Sequence, residues 1–85
     1  MRVKLFYFAK VRDALGIDRE EIDLAGSIQT VADLVVFLKS RGSAWHATFN
    51  ELSSIRMAVN QEIVEDDHAI RANDEVAFFP PITGG

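Results

Sequence analysis

One segment of the chain has a complete helical pattern, whereas most other apolar segments alternate like strands. Thr30 suits the N-cap position, and Asp33 three residues later completes a weaker form of the capping box. Basic residues in the last turn and Gly42 after them are typical of a helix end. The apolar side chains at helical spacing on one face are Val31, Leu34, Val35 and Leu38. The sequence therefore predicts one main helix over residues 31–41.

Five other segments are rich in β-branched and aromatic residues or alternate between apolar and polar residues, which predicts strands. These segments are residues 3–8, 20–24, 55–59, 63–64 and 75–79. The apolar first and last strands are expected at the centre of the sheet, and the first two strands are expected to pair antiparallel. The crossover through the helix favours at least one parallel pair. The expected fold class is thus α+β, with a mixed sheet covered on one face by one main helix.

Two connecting segments are less well defined. Residues 10–15 form either a turn or a helical bend, which ends at Gly16. Residues 45–52 form either a loop or a short helix in which Trp45 and Phe49 pack against the core.

Composition excludes several classes of function. With 85 residues the chain is expected to be one small domain, and it has no cysteine, so disulfides, thiolate metal sites and a cysteine nucleophile are excluded. The net charge of −4 disfavours binding to nucleic acid. Two histidines are too few for a histidine-rich metal site, and the adjacent Asp66 and Asp67 alone would hold an ion poorly. No metal site is therefore expected. The longest apolar run, 34–38, is too short for a membrane span, and we expect a cytoplasmic protein.

Charge is distributed unevenly along the chain. Residues 1–12 have a net charge of +4, because they contain four basic side chains and no acid. Residues 51–85 contain seven acids and two arginines, which gives −5. This asymmetry fits either two solvated faces or a surface that steers a charged partner.

The face of the sheet opposite the helix, termed the outer face below, is unexpectedly apolar. Alternation places Phe6, Phe8 and Phe79 on it, and Ile63 could join them. If the first and last strands are neighbours, Phe8 and Phe79 form one exposed aromatic patch, which favours a protein–protein interface. The alternative is that residues 45–52 fold over these side chains.

The last six residues have the composition of an extended tail. Pro80 and Pro81 lack backbone N–H donors, so the sheet must stop before them and the chain leaves it extended. We therefore divide the chain into a domain, 1–79, and a tail, 80–85, which ends in Gly84 and Gly85. Such a tail is either a frayed terminus or a site for chemistry on a terminal carboxylate, which unhindered glycines make easy to reach.

Four segments together resemble one family: the ubiquitin-like sulfur carriers that form the small subunit of molybdopterin synthase. These segments are residues 6–13, 30–34, 58–61 and, most specifically, 74–85 with its Phe-Phe-Pro-Pro-Ile-Thr-Gly-Gly ending. The resemblance covers nearly the whole chain and implies the ubiquitin-like β-grasp fold, which agrees with the predicted strand order. Asn73 departs from the glycine that many relatives have there, and asparagine tolerates the same left-handed backbone.

The resemblance also implies a mechanism and a set of partners. An enzyme related to ubiquitin-activating enzymes uses ATP to adenylate Gly85, and sulfur then replaces AMP to leave a thiocarboxylate. Gly84 gives access to that group. The loaded tail enters the synthase large subunit, in a heterotetramer, and donates sulfur to cyclic pyranopterin monophosphate to build the dithiolene. The chain is then an enzyme subunit that is not catalytic alone and binds no cofactor stably.

The resemblance further implies which residues contact the large subunit. Those on the domain are Phe8, Ile63 and Phe79, and those on the tail are Pro80, Pro81, Ile82 and Thr83. The first three coincide with the exposed aromatic patch inferred from alternation.

Three other functions remain open. The chain could deliver sulfur for another pathway, such as thiamine or cysteine synthesis, although thiamine-type carriers are usually shorter and lack the Phe-Phe-Pro-Pro spacer. It could be a ubiquitin-like protein modifier, in which Gly85 forms an isopeptide bond with a lysine. It could also be an interaction module whose tail is incidental, in which case deletion of Gly84 and Gly85 would not change its function.

Overall fold

Eight elements follow one another along the chain in this computed structural model, which describes residues 1–51 and 55–81. They are β1 (Arg2–Tyr7), α1 (Ala9–Leu15), β2 (Arg19–Asp23), α2 (Val31–Lys39), α3 (Ser43–Glu51), β3 (Arg56–Val59), β4 (Glu62–Val64) and β5 (Glu75–Phe79). All five predicted strands are present, and the first two are shifted by one residue. Four of the predicted site residues, Ile82, Thr83, Gly84 and Gly85, lie outside the described residues.

The five strands form one mixed sheet in the order β2-β1-β5-β3-β4. β1 pairs antiparallel with β2 and parallel with β5, whereas β3 pairs antiparallel with both β5 and β4. The predicted central positions of the first and last strands, the antiparallel first pair and the parallel pair are therefore all confirmed. The chain crosses one face of the sheet through α2 and α3, so β3 runs in the same direction as β2. Because β1 is antiparallel to β2 and β5 is antiparallel to β3, β1 and β5 are parallel neighbours.

Helix α2 begins as predicted and ends earlier than predicted. The Thr30 side chain accepts the Asp33 N–H at 3.2 Å, and the Asp33 carboxylate accepts the Thr30 N–H at 3.2 Å, so the capping box is complete. The predicted end at Arg41 with a cap at Gly42 is wrong, because Ser40 is the C-cap. At this end of the helix the Phe37 carbonyl accepts both the Ser40 N–H at 3.0 Å and the Ser40 hydroxyl at 2.6 Å.

All three described helices pack on one face of the sheet, which is called the inner face. The sequence predicted one main helix on this face, and α1 and α3 cover it as well. The fully buried side chains of β1 and β5 that form this face are Val3, Leu5, Tyr7, Val76 and Phe78. Helix α1 adds Val11 to the same core. Residues 45–52 were predicted as a loop or a helix, and the described part, 45–51, is helical: Trp45 packs edge-on against Tyr7 and Phe49 against Phe78.

Tight turns hold the strands in register. Asn60 and Gln61 both have positive φ, 51° and 72°, which is the geometry of a two-residue hairpin turn between β3 and β4. Asn73, two residues before β5, also has a left-handed backbone, with φ of 69°, as predicted. None of the described helices is long and apolar enough to cross a membrane.

Candidate protein-interaction face

The outer face of the sheet has a row of apolar side chains that crosses four strands. In register, Phe6 of β1 lies beside Ala77 of β5, Ala77 beside Ala58 of β3, and Ala58 beside Ile63 of β4. Ile63 is 67% exposed at the open edge. Ala77 and Ala58 in the middle of the row have small side chains that do not project far from the sheet, which leaves room for a flat partner surface.

Phe8 and Phe79 extend this row towards the end of β5. The Phe8 N–H donates to the Phe78 carbonyl at 3.0 Å, so the backbone of Phe8 continues beside β5 after β1 has ended. Phe8 is 47% exposed, and Phe79 is partly exposed on the side of β5 opposite the buried Phe78. The four side chains Phe6, Phe8, Ile63 and Phe79 are called the outer patch below.

The alternative in which residues 45–52 cover the outer patch is wrong. Helix α3 lies on the inner face, where Trp45 and Phe49 contact Tyr7 and Phe78. Because strand side chains alternate, Phe8 and Phe79 point the other way. An exposed group of large apolar side chains of this kind is typical of a protein–protein interface.

A strained residue directs the chain away from the outer patch. Phe8 has an extended backbone, with φ of −120° and ψ of 152°, and Ala9 has a φ of 53°. A left-handed alanine is unfavourable, and such residues persist where the surrounding structure fixes them. The reversal at Ala9 lets α1 start at once and bury Val11 while Phe8 stays on the outer face. Sequence reasoning missed this conformation, because alanine gives no signal for positive φ.

The tail begins beside the outer patch. β5 ends at Phe79, and the partly exposed Pro80 and Pro81 are not part of a strand. A protein that covers Phe79 therefore also reaches the first residues of the tail. The predicted contacts and chemistry of residues 82–85 stay predictions.

The charges at the other end of the outer face compensate one another. Arg2 forms an ion pair with Asp23 at 3.2 Å. Lys4 lies in register between Glu21 of β2 and Glu75 of β5. The basic N-terminal segment is thus interleaved with acids that come from elsewhere in the chain. This arrangement favours a solvated surface over a positively charged steering surface at that end.

A polar cluster at the edge of the inner face was not predicted. The Tyr7 hydroxyl donates to Glu20 Oε2 at 2.8 Å, and Arg41 donates to both Glu20 oxygens at 2.6 and 3.0 Å. The Arg41 guanidinium lies 4.3 Å from the centroid of the Trp45 ring. The one available signal was Tyr7 itself, since a buried tyrosine hydroxyl needs a hydrogen-bond partner.

Burial and hydrogen bonding shift the pKa values in this cluster. Burial raises the pKa of Tyr7, and its hydrogen bond to Glu20 raises it further, so the phenol stays neutral. Burial alone would raise the pKa of Glu20, but the hydrogen bonds from Arg41 and Tyr7 hold it below its ordinary value. The cluster is a set of hydrogen bonds that joins β1 and β2 to Arg41, in the connection between α2 and α3, which suits a structural role.

The described side chains include no group suited to metal binding. Among residues 1–50 and 55–81, no three histidine, aspartate or glutamate side chains lie close enough to hold an ion. Among the described residues, the outer patch beside the start of the tail is therefore the best candidate for a functional site, as a surface that binds another protein.

Comparison with known proteins gives matches over nearly the full chain. The model of the ThiS family matches residues 5–85. The molybdopterin synthase sulfur carrier subunit of Escherichia coli (strain K12) is 37% identical over 83 residues, which cover 98% of this chain and 99% of that protein. The subunit of the same name from Haemophilus influenzae is 32% identical over 83 residues, with the same coverage.

Solved structures agree in fold. A Pyrococcus furiosus structure named for subunit 1 of molybdopterin converting factor has a TM-score of 0.78 and 33% identity, over 96% of this chain and 99% of that one. SAMP1 from Haloferax volcanii has a TM-score of 0.77 and 26% identity, and the match covers 100% of both chains. These neighbours confirm the predicted β-grasp fold.

Proposed function

Because the chain belongs to the ThiS family, we propose that it is the sulfur carrier subunit of a molybdopterin synthase. The observation that supports this most strongly is the full-length similarity to sulfur carrier subunits, at 37% identity to the one from Escherichia coli. The fold adds a compatible geometry, since it presents the outer patch beside the start of the tail.

In this proposal the chemistry takes place on the main-chain carboxyl group of Gly85. That carboxylate is ionised at neutral pH and is a poor electrophile. An adenylating enzyme joins it to the AMP part of ATP and releases pyrophosphate, which makes the carbonyl carbon reactive. Sulfur from a donor protein then displaces AMP and leaves a thiocarboxylate, which is a good nucleophile. Gly84 keeps the approach to this group open because it has no side chain.

The outer patch is the proposed contact with both partners, the adenylating enzyme and the synthase large subunit. Phe79 stands where β5 ends, so docking at Phe79 also fixes the start of the tail. Pro80 and Pro81 restrict the backbone as it leaves the sheet, which lowers the entropy lost when the tail enters a channel. Phe8 and Ile63 extend the contact to either side of Phe79.

The chain on its own is proposed not to be a catalyst. The large subunit would bind the pterin precursor, two copies of each subunit would form the active heterotetramer, and ATP would be bound only by the adenylating enzyme. A cytoplasmic location stays a prediction.

A second candidate function is protein modification. The specific observation that favours it is the similarity to SAMP1, whose full name is small archaeal modifier protein 1. The match has a TM-score of 0.77 and 26% identity. Both functions share the adenylation of Gly85, and they differ in the final acceptor, which is a pterin precursor or a lysine amine. The greater similarity to sulfur carrier subunits supports the first.

Reconstitution of sulfur transfer tests the proposed function. The thiocarboxylated chain is mixed with the cognate large subunit and cyclic pyranopterin monophosphate, and molybdopterin is measured. We expect molybdopterin from the full chain and none from a variant that lacks Gly85, with the same thermal unfolding midpoint for both. Molybdopterin formation by the truncated variant would contradict the proposal. Isopeptide adducts on lysines without any molybdopterin would favour the modifier function instead.

A further inference from the structure

We propose that the protein that binds the outer patch presents a carboxylate group to Arg56. This inference rests on the proposed function, with the synthase large subunit as the partner. It adds a chemical property of that partner: an acidic side chain within an otherwise apolar contact surface.

The register of the sheet places Arg56 within the contact region. Arg56 of β3 pairs directly with Phe79 of β5, and the next pair, Met57 and Phe78, points to the inner face. By alternation Arg56 and Phe79 therefore share the outer face. Directly paired residues on one face have Cβ atoms about 4.5–5.5 Å apart. A stable interface covers about 800 Å² on each protein, so one centred on Phe79 also covers Arg56.

Arg56 has no internal counter-ion in the described structure. Among the side chains that the structure describes, which do not include that of Glu51, ion pairs join Arg2 to Asp23, Arg12 to Asp13 and Arg41 to Glu20. Glu65 follows β4 directly, and continued pairing of β3 and β4 would bring it opposite Arg56. No ion pair forms there in the described structure.

Among the described residues, Arg56 also makes no cation–π contact that would substitute for a counter-ion. The cation–π contact in the described structure is that of Arg41 with Trp45. Within the described part of the chain, no side chain therefore neutralises the Arg56 guanidinium.

Docking at Phe79 removes much of the water around Arg56. Loss of hydration strongly disfavours binding when the arginine gains no new partner. A carboxylate offsets this cost best, because its two oxygens match the planar guanidinium. A partner surface that is apolar throughout would be penalised at this position.

Binding measurements with charge variants test the inference. The dissociation constant for the cognate large subunit is measured by titration calorimetry at low and high salt, with the full chain. We expect Arg56→Gln to weaken binding at least about tenfold at low salt and to reduce the dependence of binding on salt. Arg56→Lys keeps the charge and should recover part of the loss. Lys4→Gln is the matched control, since Lys4 lies on the same face between two acids, and it should bind like the unsubstituted chain.

A crosslinking measurement identifies the opposing group. In the complex of Arg56→Lys with the large subunit, a zero-length carbodiimide joins the new amine to a nearby carboxylate as an amide. We expect a crosslink from position 56 to an aspartate or glutamate of the large subunit, mapped by mass spectrometry.

Three outcomes would overturn the inference. One is an Arg56→Gln variant that binds with unchanged affinity and salt dependence, which would mean that Arg56 stays in water at the rim. Another is weakened binding without the crosslink, since the contact is then not to a carboxylate. If neither the unsubstituted chain nor any variant binds the large subunit, the proposed function fails as well, whereas the first two outcomes leave it intact.

Discussion

The Tyr7 hydroxyl donates a 2.8 Å hydrogen bond to Glu20, and this bond joins the apolar core to the charged edge of the sheet. Tyr7 is the largest fully buried side chain, yet its hydroxyl reaches the residue where Arg41 also binds. The central strand β1, the edge strand β2 and the connection between α2 and α3 are thereby held together by one carboxylate.

Removal of this hydroxyl should destabilise the fold without affecting the outer patch. We expect Tyr7→Phe to lower the free energy of unfolding by about 1–2 kcal/mol, because Glu20 loses a charge-assisted hydrogen bond in a partly buried place. Urea denaturation followed by tryptophan fluorescence measures this change. An unchanged midpoint and slope would show that water replaces the hydroxyl at no cost.

Stability should fall in acid partly because of Glu20. Its pKa is lower in the folded state than its ordinary value of 4.5. The unfolded chain therefore takes up this proton first as pH decreases, so the stabilisation is present above about pH 4.5 and is lost below it. The thermal midpoint of Glu20→Gln should consequently fall less steeply from pH 5 to pH 3 than that of the unsubstituted chain.

Asp33 provides the comparison for this pH profile. The N–H groups of Gln29 and Thr30 hold the pKa of Asp33 below its ordinary value, so it contributes in the same direction. The thermal midpoint of Glu20→Gln should therefore still fall somewhat from pH 5 to pH 3. Addition of Asp33→Asn to this variant should make that remaining fall smaller. Identical profiles for Glu20→Gln and the unsubstituted chain would show that Glu20 does not contribute.

The left-handed conformation of Ala9 should make this position sensitive to β-branching. Valine at φ of 53° is sterically unfavourable, whereas glycine adopts such a φ freely. We expect Ala9→Val to be less stable than Ala9→Gly by about 1–2 kcal/mol in urea denaturation. Equal stability of the two variants would show that the chain can reverse after Phe8 in another way.

Phe79 should contribute strongly to binding of the large subunit. We expect Phe79→Ala to weaken this binding by about 1–3 kcal/mol, or about 5–150-fold in the dissociation constant, because an aromatic anchor is lost. Val36→Ala is the control, since Val36 is 69% exposed on α2, on the opposite side of the sheet. Similar affinities for both variants, measured by calorimetry, would mean that the outer patch is not the interface.

Local patterns were sufficient to predict much of the fold. In strands β1 and β5 every second residue is a large apolar one that is buried, and the residues between them are at least partly exposed. The direction of each side chain follows from this alternation. The start of α2 is set by Thr30 and Asp33, which lie three residues apart. The placement of Phe8 and Phe79 on one open face followed from the same alternation, once the two strands were taken as neighbours.

Features that depend on distant residues were not predictable. The sequence left a loop and a helix open for α3, because only two of its residues are large and apolar, and their partners Tyr7 and Phe78 are far away in the sequence. Glu20 and Arg41 are 21 residues apart, so no local pattern joins them. The end of α2 at Ser40 is a local feature that the sequence reasoning also missed, because a serine that bonds the carbonyl three residues earlier is a weaker signal than the glycine at 42.

The intact mass of the full chain tests the central claim most directly. The chain is incubated with ATP, its cognate adenylating enzyme and a sulfur source, and the starting mass first verifies that the mature protein ends at Gly85. We predict a gain equal to the replacement of one oxygen by one sulfur, mapped to Gly85, and its reversal when the large subunit and pterin precursor are added. An unchanged mass under conditions in which the same enzymes load another sulfur carrier, or a mass gain found only as an isopeptide on lysine, would contradict the account.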